Sequence, residues 1–426
     1  MSLSVGKATA GPPVWLRKRS FEEMKRTLAQ GELLHSLQGL FQESGETLTG
    51  ISLAEEKYEE ECIFLVLLLE FKGPGCRIVC PREWVFQYLL DDDLFGAGPI
   101  RFWSYPEDPE LPILARLHSS PGFFQETAWE SCAGEVFPED GDFCMQRLLY
   151  NPGRRATFLV VSEKTGRKFI LKAVRPKEWR VSLEKLEWMD RAGLHKTILF
   201  PRIVAYSSRD YLFLYDYLPG VRIDRLGPER REELKTGIYE EVIMLLTELH
   251  QTTLPGLPRW SPHREIGALS ALTDLLEIRA PGVAAVVQPM VEEIADDLIQ
   301  RNQTNTQPIH HSFSAKHLLY YPDRGRDRRL AVLDWDSAVL GPQEKDLASF
   351  LASFSEGEEE ALFFIAQYRR KKGSELDLKL IHRFIQVRRL IKICRKVLRG
   401  DSSDERNAKA LRELDLLANE KPRLGP

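Results

Sequence analysis

Two short stretches of the chain collect side chains whose types and spacing could carry chemistry. Residues 310–319 read HHSFSAKHLL, and residues 331–336 read AVLDWD. Val332 and Leu333 predict a buried strand, at the end of which Asp334 and Asp336 follow. Side chains two positions apart on an extended segment point the same way. The two carboxylates are therefore a candidate site for a hard divalent cation, which takes oxygen ligands. The alternative is a solvated strand end that carries two acids.

A lysine within an apolar run is the second chemical feature of the sequence. Lys172 lies in the run FILKAV of residues 169–174. A charged group in the middle of a buried strand is costly unless it is paired. The helix predicted over 179–192 carries Glu184 and Glu187, and either acid could pair with Lys172.

Turn signals and hydrophobic periodicity predict the elements that position these residues. Lys172 falls on the third of three strands, and a helix and two further strands follow it. This order matches the small lobe of a protein kinase, which has a lysine on the third strand and an acid on the helix. The later chain is predicted to be helical. The predicted strands are 144–150, 156–162, 168–174, 202–206 and 212–217, and the predicted later helices are 229–250, 269–278, 283–301, 345–354, 358–371, 376–399 and 404–418.

The first 130 residues predict a mixed α/β extension without recognisable chemistry. Its expected parts are a disordered start over 1–15, a helix over Phe21–Leu40, a strand over 62–70 with a return strand over 77–80, a helix over 81–90 and a proline-rich connector near 105–112. We expect this extension to pack on the small lobe, form a dimer contact or bind a protein partner.

Composition narrows the class of protein. The chain has 426 residues, which suggests two or three domains, and its net charge of −4 gives no indication of nucleic-acid binding. Six scattered cysteines suggest reduced thiols in a cytoplasmic protein. The apolar run at 62–69 is too short to cross a membrane as a helix, and the first residues lack the apolar core of a signal peptide. We therefore expect no membrane association.

Six segments, in order, resemble the aminoglycoside/choline phosphotransferase branch of the protein-kinase-like fold. The resemblance covers about residues 130–400 and implies an α+β, bilobal protein-kinase-like fold. An antiparallel-sheet N-lobe is expected over 131–218, and a mainly helical C-lobe over 219–426. The segments are LYNPGRR at 149–155, FILK at 169–172, FLYDYLPG at 213–220, LTELH at 246–250, the loop at 310–319, and LDWD at 333–336 with KDLA at 345–348.

The resemblance also implies roles for individual residues, with ATP or GTP and Mg²⁺ as cofactors. Lys172 would hold nucleotide phosphates and pair with Glu184. Asp334 is expected to bind the metal, and Asp336 takes a second acidic position. The remaining nucleotide contacts are expected from Arg154 and Arg155, which could instead form a plain hairpin turn, and from Asp216 and Tyr217 in the hinge-like segment.

The catalytic loop departs from the family pattern, which reads His-Gly-Asp, four residues, then Asn. His310 matches the histidine, but Ser312 takes the place of the catalytic Asp and His317 that of the Asn. A serine cannot act as a carboxylate base, and a missing base lowers the rate by roughly 10²–10⁴-fold. The base could instead be His311, Asp336 or an acid elsewhere. His317 is a poor Mg²⁺ ligand, because Mg²⁺ favours oxygen. It could instead contact a phosphate when protonated, or hydrogen-bond the loop.

Two functions follow from this pattern. The first is transfer of the γ-phosphate of ATP or GTP to a hydroxyl of an amino sugar, sugar, amino alcohol or natural-product intermediate. The second is a nucleotide-binding pseudokinase that acts as a scaffold or regulator, which Ser312 and His317 favour. Nucleotidyl transfer is a third possibility, although no feature of the sequence requires it.

Overall fold

The computed structural model describes most of the chain in twelve segments. The described residues are 47–58, 62–72, 79–89, 101–120, 122–131, 142–194, 197–254, 256–301, 306–321, 330–354, 357–399 and 404–419. The predicted disordered start and the helix over Phe21–Leu40 lie outside them. Contacts divide the chain into two compact units, which are Met1–Pro176 with Ala205–Phe213, and Lys177–Val204 with Leu214–Pro426. The domain boundaries expected near residues 130 and 218 remain predictions.

The first unit begins with a four-stranded antiparallel sheet in sequential order. Its strands are β1 (Thr47–Tyr58), β2 (Cys62–Lys72), β3 (Val79–Leu89) and β4 (Arg101–Ser104). The helix predicted over 81–90 is wrong, because these residues form most of β3. That strand pairs with β2 along its whole length and with β4 at Trp84–Gln87. Pairing with a neighbouring strand on both edges overrides a local helical pattern.

Two short helices lead from this sheet to a six-stranded sheet. They are α1 (Ile113–Ser119) and α2 (Phe123–Glu126). The strands of the second sheet are β5 (Glu130–Ser131), β6 (Phe143–Asn151), β7 (Arg155–Ser162), β8 (Lys168–Val174), β9 (Ile203–Ser207) and β10 (Leu212–Asp216), in the order β5-β9-β10-β8-β7-β6. Burial alternates along β7, as expected for a strand with one face on the core. The five strands predicted between 144 and 217 are confirmed.

A buried aspartate ties the proline-containing connector to the turn between β6 and β7. Asp108 is 1% exposed. Its Oδ2 accepts hydrogen bonds from the backbone N–H of Gly153 at 2.7 Å and from the Tyr150 hydroxyl at 2.8 Å, and its Oδ1 accepts one from the Glu110 N–H at 2.9 Å. Burial raises the pKa of the Asp108 carboxyl, although these hydrogen bonds oppose the rise. The hairpin turn that carries Arg154, an expected nucleotide contact, is thus held by a residue from the preceding segment.

The second unit is mainly helical, and a few short strands carry its loops. The helices are α3 (Pro176–Arg191), α4 (Pro228–Gln251), α5 (Pro262–Arg279), α6 (Pro281–Gln300), α7 (Glu344–Phe354), α8 (Glu358–Lys372), α9 (Leu378–Arg399) and α10 (Asp404–Asn419). The strands are β11 (Val221–Arg222), β12 (Gln307–Ile309), β13 (Leu318–Tyr320), β14 (Leu330–Val332) and β15 (Val339–Gly341). Strand β13 pairs with β11 and β14, and β12 pairs with β15. The predicted helices of this region are confirmed, and so is the α+β class.

We expect Asp108→Ala to destabilise the first unit. The change leaves the Gly153 N–H and the Tyr150 hydroxyl without their acceptor, and each buried group that loses its partner costs about 1–3 kcal/mol. Glu107→Ala is the matched control, since Glu107 is exposed beside it. Urea denaturation followed by circular dichroism measures both variants. Equal free energies of unfolding would show that the carboxylate of Asp108 does not hold this turn.

Candidate functional site

The loop between β12 and β13 is anchored by one buried carboxylate in the second unit. Asp346, in the first turn of α7, is fully buried. Its Oδ2 accepts the backbone N–H of His310 at 2.7 Å, and its Oδ1 accepts the backbone N–H of His311 at 2.8 Å. Burial opposes ionisation of this carboxyl, but the hydrogen bond with His250 and the backbone N–H of His310 keep its pKa below the ordinary value. The start of the loop is therefore bound to the start of a core helix.

His310 joins this loop to the end of β14. The ring Nε2 of His310 lies 2.8 Å from the carbonyl oxygen of Leu333. A carbonyl only accepts, so Nε2 carries the proton and Nδ1 is left as an acceptor. The backbone N–H of Leu333 in turn donates to the carbonyl of His317 at 2.8 Å. Complete burial lowers the pKa of His310, which keeps the ring neutral at neutral pH.

Ser312 takes part in a chain of hydroxyl hydrogen bonds. Its Oγ lies 2.9 Å from the Oγ of Ser337 and 3.4 Å from Nδ1 of His310. The Ser337 hydroxyl donates to the carbonyl of His310 at 3.1 Å. The Ser312 hydroxyl is thereby oriented by its neighbours, but it contributes no carboxylate at the position where the family pattern has one.

His317 and Asp334 face each other across the site. The Nδ1 of His317 donates to the carbonyl of Ser312 at 2.7 Å, and its Nε2 lies 3.8 Å from Oδ2 of Asp334. Burial, together with the neighbouring His310, lowers the pKa of His317 to about 3, although Asp334 opposes the fall. The ring is neutral at neutral pH, which disfavours the expected alternative of a protonated phosphate contact.

Backbone strain is concentrated in the same place. His311 has φ +71° and Asp334 has φ +61°, and these are two of the three residues other than glycine with positive φ in the described part of the chain. Such conformations are unfavourable for side chains with a Cβ, and they are found mainly where the surrounding structure imposes them at functional sites. Asp334 makes no side-chain cap to the short 3₁₀ turn at Trp335–Ser337 that it precedes.

A second buried cluster lies next to His311. Oε1 of Glu265, on α5, accepts from Nε2 of His311 at 3.1 Å and from Nζ of Lys345 at 2.5 Å. Burial alone would raise the pKa of Glu265, but Lys345 and His311 hold it well below its ordinary value. His311 is one candidate for the missing base, but its Nε2 is already hydrogen-bonded to Glu265.

Helix α3 contributes a contact that the sequence did not predict. Its buried Lys185 donates from Nζ to the backbone carbonyl of Asp336 at 2.6 Å. The neighbouring Glu184 is 44% exposed and pairs with Arg180 at 3.1 Å. A lysine at a position that helical periodicity places on the buried face could have drawn attention to Lys185 in the sequence. Only the tertiary structure identifies the carbonyl of Asp336 as its acceptor. The pairing of Glu184 with Lys172 remains a prediction.

The other nucleotide-site candidates are divided between the two units. Lys172 is 8% exposed on β8. Arg154 and Arg155 are partly buried at the turn into β7, where the N–H of Arg154 closes the turn onto the carbonyl of Asn151 at 3.1 Å. Asp216 ends β10. Asp216 and Tyr217 belong to the second unit. The N–H of Asp216 donates to the carbonyl of Arg202 at 3.0 Å, and Tyr217 is partly buried.

The donors around Asp334 suit magnesium only in part. Asp334 offers a carboxylate oxygen, which Mg²⁺ prefers, whereas His317 offers a ring nitrogen, which it does not. Within the described residues, no group of three or more His, Cys, Asp or Glu side chains is arranged to hold a metal ion. Mg²⁺ in phosphate-handling sites is commonly held by one or two carboxylates together with substrate phosphates. The carboxylate of Asp334 therefore fits such an ion, and the histidine does not. Asp336 lies in the 3₁₀ turn Trp335–Ser337, so the expectation that it shares an extended segment with Asp334 is wrong.

The sequence pattern of the phosphotransferase enzyme family (APH) matches residues 150–377, which is more than half of the chain. The chain belongs to this family, and the protein-kinase-like fold expected from the resemblance is confirmed. No curated protein matches the chain. Over the segments that the structure describes, no helix is both long and apolar enough to cross a membrane.

Several solved structures are similar at low identity. The choline kinase LicA from Streptococcus pneumoniae is 15% identical, with a TM-score of 0.44 over 64% of this chain and 93% of that chain. The spectinomycin phosphotransferase APH(9)-Ia, solved with ADP and spectinomycin, is 14% identical, with a TM-score of 0.45 over 67% and 92%. The GDP complex of aminoglycoside 2'-phosphotransferase-IIIa is 15% identical, with a TM-score of 0.46 over 72% and 99%.

We expect His317 to make the stability of the second unit depend on pH. Its folded-state pKa of about 3 lies below the ordinary value of 6.5, so only the unfolded chain takes up this proton between those values. Stability should therefore fall as the pH drops from about 6.5, by up to roughly 1.4 kcal/mol per pH unit. His317→Asn should make this dependence shallower. Thermal midpoints between about pH 7.5 and 5 test the expectation.

The control for this pH experiment is His263→Asn, which changes an exposed histidine on α5. A His317→Asn variant whose midpoint falls as steeply as that of the control would show that the buried imidazole of His317 does not take up a proton on unfolding.

Proposed function

We propose that this protein transfers the γ-phosphate of ATP or GTP to a hydroxyl group of a small molecule. The acceptor classes are an amino sugar, a sugar, an amino alcohol or a natural-product intermediate. In this proposal Lys172 binds the nucleotide phosphates, Asp334 and Asp336 hold the divalent metal, and the loop from His310 to His317 receives the acceptor. A bound divalent ion would neutralise charge on the phosphates.

The observation that carries the proposal is the ordered loop beside Asp334. Asp346 and Leu333 hold both ends of the loop, with hydrogen bonds of 2.7–2.8 Å to the backbone of His310 and His317. Phosphoryl transfer passes through a loose transition state in most analyses, so positioning and charge neutralisation contribute most of the catalysis. A loop held this firmly supports positioning. Membership in the phosphotransferase family supports the reaction class.

Ser312 has a positioning role in this mechanism. Its hydroxyl is held between Ser337 and His310, and one of its lone pairs can accept a hydrogen bond from the acceptor hydroxyl. The acceptor oxygen forms a bond to the γ-phosphorus while the bond from that phosphorus to the bridging oxygen breaks. The proton of the acceptor hydroxyl then passes to the transferred phosphate or to water, because no carboxylate lies at position 312 to take it.

A second candidate is a nucleotide-binding pseudokinase. The specific observation in its favour is that Ser312 is engaged with two neutral partners, Ser337 and His310. His310 is fully buried, and burial lowers its pKa, so it is a weak base. A protein with this loop would bind nucleotide and act as a scaffold or regulator. The extension over residues 1–130 would be available for a protein partner, and cytoplasmic location is expected for both functions.

Nucleotide binding is tested first, because both candidates require it. We expect ATP with Mg²⁺ or Mn²⁺ to raise the thermal midpoint of the unaltered chain, since a ligand that binds the folded state stabilises it. Lys172→Met should abolish most of this rise. Lys168→Met is the matched control, because Lys168 is exposed on the same strand. Equal shifts in the two variants would exclude Lys172 from phosphate binding, and no shift at millimolar nucleotide would count against both functions.

Ser312→Asp separates the two functions. A restored carboxylate should raise the rate of a working phosphotransferase by roughly 10²–10⁴-fold, as positioned general bases do. Ser312→Asn is the control of the same shape without a base. Nucleotide consumption over a panel of hydroxyl compounds gives the readout. Transfer by the unaltered chain supports the enzyme, whereas transfer by Ser312→Asp alone supports the pseudokinase.

Asp334→Ala should abolish any transfer, and unchanged transfer in that variant would refute the metal assignment.

A further inference from the structure

An arginine on α9 reaches the loop at the residue that precedes Ser312. The Nη2 of Arg388 donates to the carbonyl oxygen of His311 at 3.3 Å. That carbonyl belongs to the peptide group that joins His311 to Ser312, so the guanidinium is bound one peptide group away from the residue that would orient the acceptor hydroxyl. Arg388 is partly buried, and a guanidinium has five N–H donors, whereas this contact uses one nitrogen.

Packing on one face of α9 determines where Arg388 lies. Phe384 precedes it by four residues, and side chains four apart lie on the same side of a helix. The ring of Phe384 lies edge-on to that of Trp260 at 5.6 Å, and the Nζ of Lys345 is 5.0 Å from its centroid. This face of α9 therefore packs on the residues that lead into α5 and α7, and Arg388 extends it to the loop.

The two buried carboxylates that contact the start of the loop are already matched with donors. Asp346 accepts the backbone N–H groups of His310 and His311. Glu265 accepts from Lys345 at 2.5 Å and from His311 at 3.1 Å. Because the charge of Lys345 matches that of Glu265, a second ammonium group brought to Glu265 would be repelled by this lysine.

Arg388 has no such match. Within the segments that the structure describes, no carboxylate forms an ion pair with Arg388, and the carbonyl of His311 is its hydrogen-bond acceptor. Burial lowers the pKa of the Lys345 ammonium, Glu265 opposes this fall, and repulsion from the charge of Arg388 adds to it. The charge of Arg388 therefore acts on this cluster without a carboxylate of its own to balance it.

We propose that Arg388 binds an oxyanion, either a carboxylate or a phosphate, on the acceptor whose hydroxyl lies at Ser312. The inference rests on the proposed function, because it concerns the acceptor of that same reaction. A planar guanidinium can donate two parallel hydrogen bonds to a carboxylate or a phosphate, and such charge-assisted pairs are stronger than neutral ones.

This site narrows the acceptor classes of the proposed function. A sugar or a natural-product intermediate that carries an acid group fits it. An amino sugar or an amino alcohol would instead bring its ammonium group towards the positive charges of Arg388 and Lys345, and like charges repel.

Two series of hydroxyl compounds test the proposal on the full chain, with Mg²⁺ and a non-hydrolysable ATP analogue present. The three-carbon probes are glycerate, glycerol 3-phosphate, glycerol and 3-aminopropane-1,2-diol, and the six-carbon probes are glucuronate, glucose 6-phosphate, glucose and glucosamine. Isothermal titration calorimetry measures each Kd. In at least one series, we expect the acid members to bind roughly tenfold or more tightly than the neutral and ammonium members, as a hydrogen bond to a charged group would give. The comparison of carboxylate with phosphate identifies the oxyanion.

Arg388→Gln should lower the affinity for the acid members to that for the neutral member of the same series. Arg389→Gln is the matched control, because Arg389 is the adjacent, exposed arginine of the same helix, and it should keep the preference for acids. Circular dichroism and thermal midpoints establish that each variant is folded. The preference of the unaltered chain is itself a test, so the proposal stays open to refutation even if Arg388→Gln does not fold.

Three results would overturn the inference. They are neutral or ammonium compounds that bind the unaltered chain as tightly as the acids of their series, acids of both series that do not bind at millimolar concentration, and a preference for acids that persists in Arg388→Gln.

The outcome is separable from that of the proposed function. A preference for acids that depends on Arg388, without phosphoryl transfer to any compound, would support the anion site and count against the enzyme. Transfer to a neutral sugar or an amino sugar that Arg388→Gln leaves unchanged would support the enzyme and overturn the anion site.

Discussion

The carboxylate of Asp346 is the constraint on which the candidate site depends. It is fully buried, yet both of its oxygens are used, because they accept the backbone N–H groups of His310 and His311 and contact His250. A buried charge is costly unless hydrogen bonds compensate it, and a fully satisfied buried network rigidifies its surroundings. Because these donors lie at the entry to the loop, the carboxylate determines where the loop begins and leaves His311 in a left-handed conformation.

The neutral histidines extend this order across the loop. His310 donates to Leu333, and His317 donates to Ser312, so each ring is held in one tautomer by a backbone carbonyl. Burial lowers the pKa of both rings, so each ring is neutral near neutral pH and carries one N–H donor. The loop in which Ser312 takes the place of the acidic residue of the family pattern is therefore held at both ends by hydrogen bonds. The hydroxyl of Ser312 lies within this hydrogen-bonded loop, between Ser337 and His310.

The first unit shows a similar use of a buried carboxylate. Asp108 comes from the connector that precedes the six-stranded sheet, and it holds the turn between β6 and β7 through Gly153 and Tyr150. The preceding segment is thus part of the structure that shapes this turn, although it carries none of the expected chemistry. Its contribution is positional, and it could be recognised only once the aspartate was seen to be 1% exposed.

Periodicity and turn residues were sufficient to predict the five strands between residues 144 and 217 and the later helices, because those signals are local. The apolar run around Lys172 and the acidic residues after Val332 could be recognised from the sequence for the same reason. The strand β3 was missed, since pairing with β2 and β4 on its two edges is a non-local cause.

Motif order identified His310, Ser312, His317 and Asp334 as the loop and the strand end of one candidate site. Only the tertiary structure showed that Asp346, Ser337 and Lys185 hold these segments, because hydrogen bonds between residues far apart in the chain leave no spacing in the sequence. The tautomer of His317 and its distance from Asp334 were likewise decided by folding, since burial and a backbone carbonyl select the proton position.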